Sequence, residues 1–129
     1  AARREALLAH VGLAGHAGQP ARLLSGGEQQ RLQVARAMSV EPDVLFLDEP
    51  TASADPASTG AVEDLVRRAA ADGTKIVLVT HDLGQARRMA DEVVFMNRGR
   101  IVERAPAAGF FREPHSAAAR AYLAGQIVL

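Results

Sequence analysis

The chain has 129 residues, enough for one domain with a core of its own. Hydrophobic residues make up 48% and charged residues 23%, an ordinary balance for a globular protein. Lys plus Arg number 15 and Asp plus Glu 15, so the formal net charge is zero. That removes any electrostatic reason to expect nucleic acid or an anionic membrane surface as the main partner. The absence of cysteine excludes disulfides and thiolate metal sites. No apolar run reaches the length of a membrane span, and no signal-peptide pattern opens the chain. The first residue is Ala1 rather than Met and already lies in a helical pattern, so the sequence is expected to be a piece of a longer protein.

In chain order, Arg3 to Val11 carries Leu7, Leu8 and Val11 at helical spacing, and Gly12 is the stop signal. Residues 15–20 read as a loop. A helical pattern resumes at Ser25, runs through Leu32, Ala35 and Met38, and ends before Glu41-Pro42. Val44 to Leu47 is a continuous apolar run bounded by turn signals, as in a strand buried on both faces. Asp55-Pro56 supplies a cap and a proline suited to the first helical position. The helix it opens shows Val62, Leu65, Val66 and Ala69 on one face and ends near Asp72-Gly73. Ile76 to Val79 reads as a second buried strand. Asp82 caps a helix over Leu83 to Ala90. Val93 to Met96 is a third strand, turned by Asn97-Arg98-Gly99 into Ile101 to Glu103 as a hairpin. The tail, Pro106 to Leu123, is short and helical. Strands alternating with helices predict an α/β fold with a mostly parallel sheet.

Ser25-Gly26-Gly27-Glu28 has the form of a capping box, with serine at the N-cap and glutamate at the third helical position. A capping box has no use for glycine at the first two helical positions, where it costs helix propensity. Glycine there bares backbone N–H groups at the positive end of the helix dipole, where a phosphate can approach. On its own the tetrapeptide also reads as a flexible helix start. The strand Val44 to Leu47 delivers Asp48-Glu49 at its C-terminal edge, where ligands sit in open α/β sheets. An aspartate there can hold Mg²⁺ and a neighbouring glutamate can activate water against a phosphate; the plain alternative is a solvated acidic turn. The second strand delivers Thr80-His81-Asp82 in the same way. His81 could contact a γ-phosphate or order water, or be an ordinary loop residue.

Taken in order, these segments resemble the ATP-binding-cassette (ABC) ATPases of transporters. Leu24 to Gln29 resembles the signature motif, Val44 to Glu49 the Walker B strand, Thr51 to Asp55 the D-loop and His81 the switch histidine. Ala54 departs from the leucine usual in that D-loop. The resemblance implies a partial P-loop NTPase (RecA-like) three-layer α/β sandwich plus the end of the ABC helical subdomain. It places that subdomain at residues 1–38 and the C-terminal part of the ATPase core at 39–129. It implies that Ser25, Gly26, Gly27 and Glu28 serve an ATP held mainly by the opposite subunit of a dimer. Asp48 would anchor Mg²⁺, Glu49 would be the general base, His81 would position water and phosphate, and Asp55 would communicate across the dimer. The cofactors implied are ATP and Mg²⁺. The partners implied are a second nucleotide-binding domain, transmembrane permease subunits and, indirectly, a solute-binding protein, at the cytoplasmic face of the membrane and without nucleic acid.

The P-loop pattern G-x-x-x-x-G-K-S/T is absent, since the one lysine, Lys75, leads into a strand. The adenine-stacking aromatic residue and the Q-loop glutamine of the family are likewise missing. In the family a P-loop strand lies between the strand ending at His81 and the strand Val93 to Met96. Its absence predicts a gap in the sheet, and a chain that alone is aggregation-prone and neither binds nor hydrolyses ATP measurably. Gly84-Gln85-Ala86-Arg87-Arg88 is similar to importers of oxyanions such as tungstate, and more loosely of phosphate and polar amino acids. A soluble ABC ATPase of the DNA-repair or translation type is the alternative, disfavoured by the zero net charge. A non-catalytic module completing a partner's site is disfavoured because Glu49 and His81 are both present. His10, His16 and His115 show no metal-ligand spacing. Phe110-Phe111 is expected to pack the tail onto the core, and Arg87-Arg88 to form a solvated helix face.

Overall fold

The computed structural model describes residues 2–52 and 54–126. The chain divides into two compact units, Ala1–Thr80 and His81–Leu129. In the first, α1 (Ala2–His10) is followed by a 3-10 turn (Ala21–Leu23), α2 (Gly26–Met38), β1 (Val44–Asp48), α3 (Pro56–Ala71) and β2 (Lys75–Val79). Gly73 follows α3 at φ 100°, and Thr74 N–H reaches back to Ala69 O at 3.0 Å. This is the left-handed exit that glycine takes without steric cost.

β1 and β2 pair in parallel, with Leu45 opposite Ile76 and Leu47 opposite Leu78. α2 packs on α3 and on β1, and α3 packs on β2. Val34 and Ala35 of α2, Leu45 and Leu47 of β1, and Val62, Leu65, Val66 and Ala69 of α3 are all buried. The stripe read from α3 is therefore its packing face, each large aliphatic side chain contributing about 1.5–3 kcal/mol by leaving water. The strand differs from expectation. Its burial alternates, and Phe46 is 73% exposed and Val44 47%. Among the described residues helices cover one face of the pair, and the apolar run that suggested two covered faces leaves the other open.

The second unit contains α4 (Leu83–Met89), β3 (Glu92–Asn97), β4 (Arg100–Pro106), α5 (Ala107–Arg112) and α6 (Ala117–Leu123). β3 and β4 form the expected hairpin, closed by Arg98 at φ 50° and Gly99 at φ 73°. Two successive positive φ values match the type I′ turn, whose twist suits paired strands. A register shift follows Phe95, which pairs with Glu103 while Met96 pairs with Ile101. Val102 is the extra residue of a bulge. The tail forms two short helices. Phe110 is buried, and the Phe95 ring lies 5.9 Å from Phe110 and 5.4 Å from Tyr122, so the aromatic residues tie both tail helices to the hairpin. Among the described residues the strands make two two-stranded sheets, one parallel and one antiparallel.

Candidate functional site

The start of α2 is a complete capping box. Ser25 Oγ accepts from Glu28 N at 3.3 Å, and Glu28 Oε2 accepts from Ser25 N at 2.8 Å. Hydrogen bonding to the Ser25 backbone is the main reason that the Glu28 carboxyl titrates below its ordinary range. The serine oxygen accepts the capping bond, and its hydroxyl also helps to hold the Glu28 carboxylate. Gly26 and Gly27 occupy the first two helical positions, whose N–H groups have no acceptor within a helix. The space beside Gly26 is open, with no atom within 4 Å of where a Cβ would stand. Gly27 differs: a Cβ there would sit 3.3 Å from Ser58 Oγ and 3.9 Å from Asp55 Oδ2.

Asp55 caps α3, its Oδ1 accepting from Ala57 N at 2.9 Å and Ser58 N at 3.0 Å. Ser58 Oγ donates to Asp55 Oδ2 at 2.6 Å and accepts from Arg31 Nη1 at 2.6 Å. The Ser58 hydroxyl, then its amide, hold the Asp55 carboxyl below the usual range. Gln30 Nε2 donates to Glu49 O at 3.2 Å. Gly27, Gln30 and Arg31 stand at i, i+3 and i+4, so one face of α2 reaches both the cap of α3 and the residue that follows β1.

Asp48 is exposed at the C-terminal end of β1. Glu49 follows in the left-handed region at φ 46°, a conformation that costs a non-glycine residue about 1–3 kcal/mol and persists only when its surroundings enforce it. Here Glu49 N donates to Val79 O at 2.9 Å, and Glu49 O accepts from Gln30 and from Ala52 N at 3.1 Å. The positive φ takes the chain off the strand line immediately after Asp48. Among the described residues no three His, Cys, Asp or Glu side chains gather as a metal cluster. Asp48 suits Mg²⁺, which takes one or two carboxylates and completes its octahedron with phosphate oxygens and water.

Ser53 lies outside the described residues. In the second unit His81 is exposed, and its carbonyl accepts from Tyr122 Oη at 3.3 Å. Asp82 caps α4, accepting from Gly84 N at 2.7 Å and Gln85 N at 3.0 Å, and the Gln85 amide is the largest influence lowering its pKa. The structure brings Ser25, Gly26, Gly27, Glu28, Asp48, Glu49 and Asp55 into the first unit and His81 into the second. Sequence reasoning missed Gln30, Arg31 and Ser58. Their helical spacing from Gly27 and from Asp55 was visible, but nothing local says that the two helix faces meet.

A model of the ABC transporter family matches residues 1–52. A phosphate import ATP-binding protein of Natronomonas pharaonis is 44% identical over 118 residues, 92% of this chain and 42% of that protein. An L-cystine transport system ATP-binding protein of Escherichia coli is 43% identical over 122 residues, 95% of this chain and 49% of that protein. Over most of its length the chain is similar to ATP-binding proteins of this kind. A solved structure titled as the ATP-binding subunit of an ABC transporter superposes with a TM-score of 0.79 at 25% identity, over 96% of this chain and 52% of that one. The fold is accordingly that of the P-loop NTPases in their ABC ATPase form. The chain spans about half the length of the curated relatives it matches.

Proposed function

We propose that this sequence serves as the signature, Walker B, D-loop and switch portion of an importer ATPase. It works with a P-loop that none of its 129 residues supplies. The observation that carries the reading is the start of α2. Two N–H groups with no acceptor inside the helix and open space beside Gly26 form an anion-receptive helix end, on a helix whose next turn bonds the Glu49 carbonyl. In this reading Ser25, Gly26 and Gly27 meet the γ-phosphate of an ATP bound on the facing subunit. Glu28 contributes by fixing the cap, since its carboxylate is committed to the Ser25 amide. Asp48 would hold Mg²⁺, which when bound neutralises phosphate charge. Glu49 accepts the proton of the attacking water, and His81 orients water and phosphate. Asp55, fixed through Ser58 to Arg31, carries the state of the signature helix toward the dimer partner.

The relatives named above are ATP-binding proteins of phosphate import and of L-cystine transport, which favours phosphate or a polar amino acid over tungstate as the solute. Partners of that kind place the protein peripherally at the cytoplasmic face of the membrane, as one of two nucleotide-binding subunits on a permease. No helix among the described residues is long and apolar enough to cross a membrane. The test is turnover by the full-length protein with and without Glu49→Gln. Loss of a general base is expected to lower ATP hydrolysis by roughly 10²–10⁴-fold while ATP-driven dimerisation persists. Undiminished hydrolysis by the variant would sink the assignment.

A further inference from the structure

The second unit contains an open cleft of about 710 Å³ bounded by α4, α5 and α6. Its walls carry Arg87, Arg112 and Arg120, with Glu113 as the only carboxylate among the lining residues. Phe111 and Leu123 supply apolar floor. Two of the guanidinium groups are held in place. Arg87 stacks 4.5 Å above the centroid of the Phe111 ring, an arrangement that orients the cation without neutralising it. Arg120 Nη1 donates to Pro114 O at 3.1 Å and His115 O at 2.7 Å. Those bonds engage one nitrogen and leave the other donors of the fork. Arg104, by contrast, is paired with Glu92 at 3.0 Å.

We propose that this cleft docks an acidic peptide segment of a partner protein, its carboxylates meeting the arginines and an apolar side chain entering over Phe111 and Leu123. Three fixed or rim guanidinium groups against one carboxylate select an anion, and the planar fork pairs best with carboxylate or phosphate oxygens. The apolar side chains of Phe111 and Leu123 beside the arginines favour a segment that brings an apolar residue with its carboxylates over a bare ion. An open groove lined by three arginines beside apolar side chains matches the recognition of acidic motifs by arginine clusters. None of the phosphate-site residues lines it, and the proposal stands whether or not the ATPase assignment does.

The probe is a fluorescein-labelled hexapeptide, Glu-Glu-Phe-Glu-Asp-Leu, titrated by anisotropy into the full-length protein. Its Gln/Asn counterpart and inorganic tripolyphosphate serve as competitors. Saturable binding that weakens as salt rises is expected, with a loss of about tenfold for Arg112→Glu. Arg112 holds no structural bond of the kind Arg120 makes, and thermal melting checks that the variant folds. Arg87→Gln provides a second arm, expected to weaken binding and to lower melting only slightly, by the lost contact with Phe111. No saturable binding of the acidic peptide, or binding indifferent to both variants, overturns the proposal. Displacement by tripolyphosphate at lower concentration than by unlabelled peptide overturns the peptide in favour of a small phosphate-bearing ligand.

Discussion

Gly26 and Gly27 are neighbours of the same type held for different reasons. A methyl at Gly27 would press on Ser58 Oγ at 3.3 Å, so that glycine lets α2 approach α3. A methyl at Gly26 would meet nothing within 4 Å. Gly26→Ala is therefore expected to keep or raise stability, by up to about 1 kcal/mol through helix propensity, and to lower ATP turnover of the full-length protein. Gly27→Ala should lower both. Urea denaturation beside an ATPase assay separates them, and a stability loss in Gly26→Ala would show a packing role that the open space denies. Glu49 poses the opposite case. Glu49→Gly relieves the strain of φ 46° and should gain stability, up to about 1 kcal/mol, as turnover disappears. The capping box was legible because its bonds join residues three apart in sequence. The Arg31–Ser58 bond was not, because its partners lie 27 residues apart and only helix packing brings them together.

Helix starts dominate the chemistry at the scale of elements. Asp55, Asp82 and Glu103 each accept backbone N–H bonds at such a start, and hydrogen bonding holds each carboxyl below its ordinary range. Glu103, 8% exposed, accepts from His115 N and Ser116 N, both at 2.8 Å, with the His115 bond foremost. A depressed folded-state pKa gives stability that is present above the unfolded value, near 4, and lost as pH falls through the folded one. Stability is thus expected to be flat from neutral pH to about 5 and to decline below about 4. Asp82→Asn, which preserves the cap, should flatten part of that decline in urea midpoints taken across the range. Glu103→Gln should speed hydrogen exchange at the His115 and Ser116 amides and leave the β1–β2 amides unchanged. Asp82 was readable as a cap because it immediately precedes its helix. Glu103 was not, because it sits on β4, a strand with no sequence relation to the helix it serves.

For the whole molecule the parallel pair decides most. Leu45 and Leu47 are covered by helices, whereas Phe46 and Val79 stand exposed. Apolar sheet surface left open to water favours self-association. The 129-residue chain alone is expected to scatter light at micromolar concentration, and Phe46→Lys to reduce that scattering. Equal scattering by the variant would place the sticky surface elsewhere. Calorimetric titration of the same chain with ATP·Mg²⁺ should show no saturable heat, since it has no P-loop sequence.

By itself the sequence determined the order of strands and helices, the hairpin turn, the caps and the family. Each of these is written in short-range patterns: spacings of two and of three to four residues, glycine where φ is positive, and motif order. Tertiary structure alone decided which glycine is steric and which is open, and that Arg31 and Ser58 join α2 to Asp55. It also decided which face of β1 is covered and which arginines share a cleft. Those outcomes depend on where distant segments meet, and a local pattern of polar and apolar residues does not encode the meeting point.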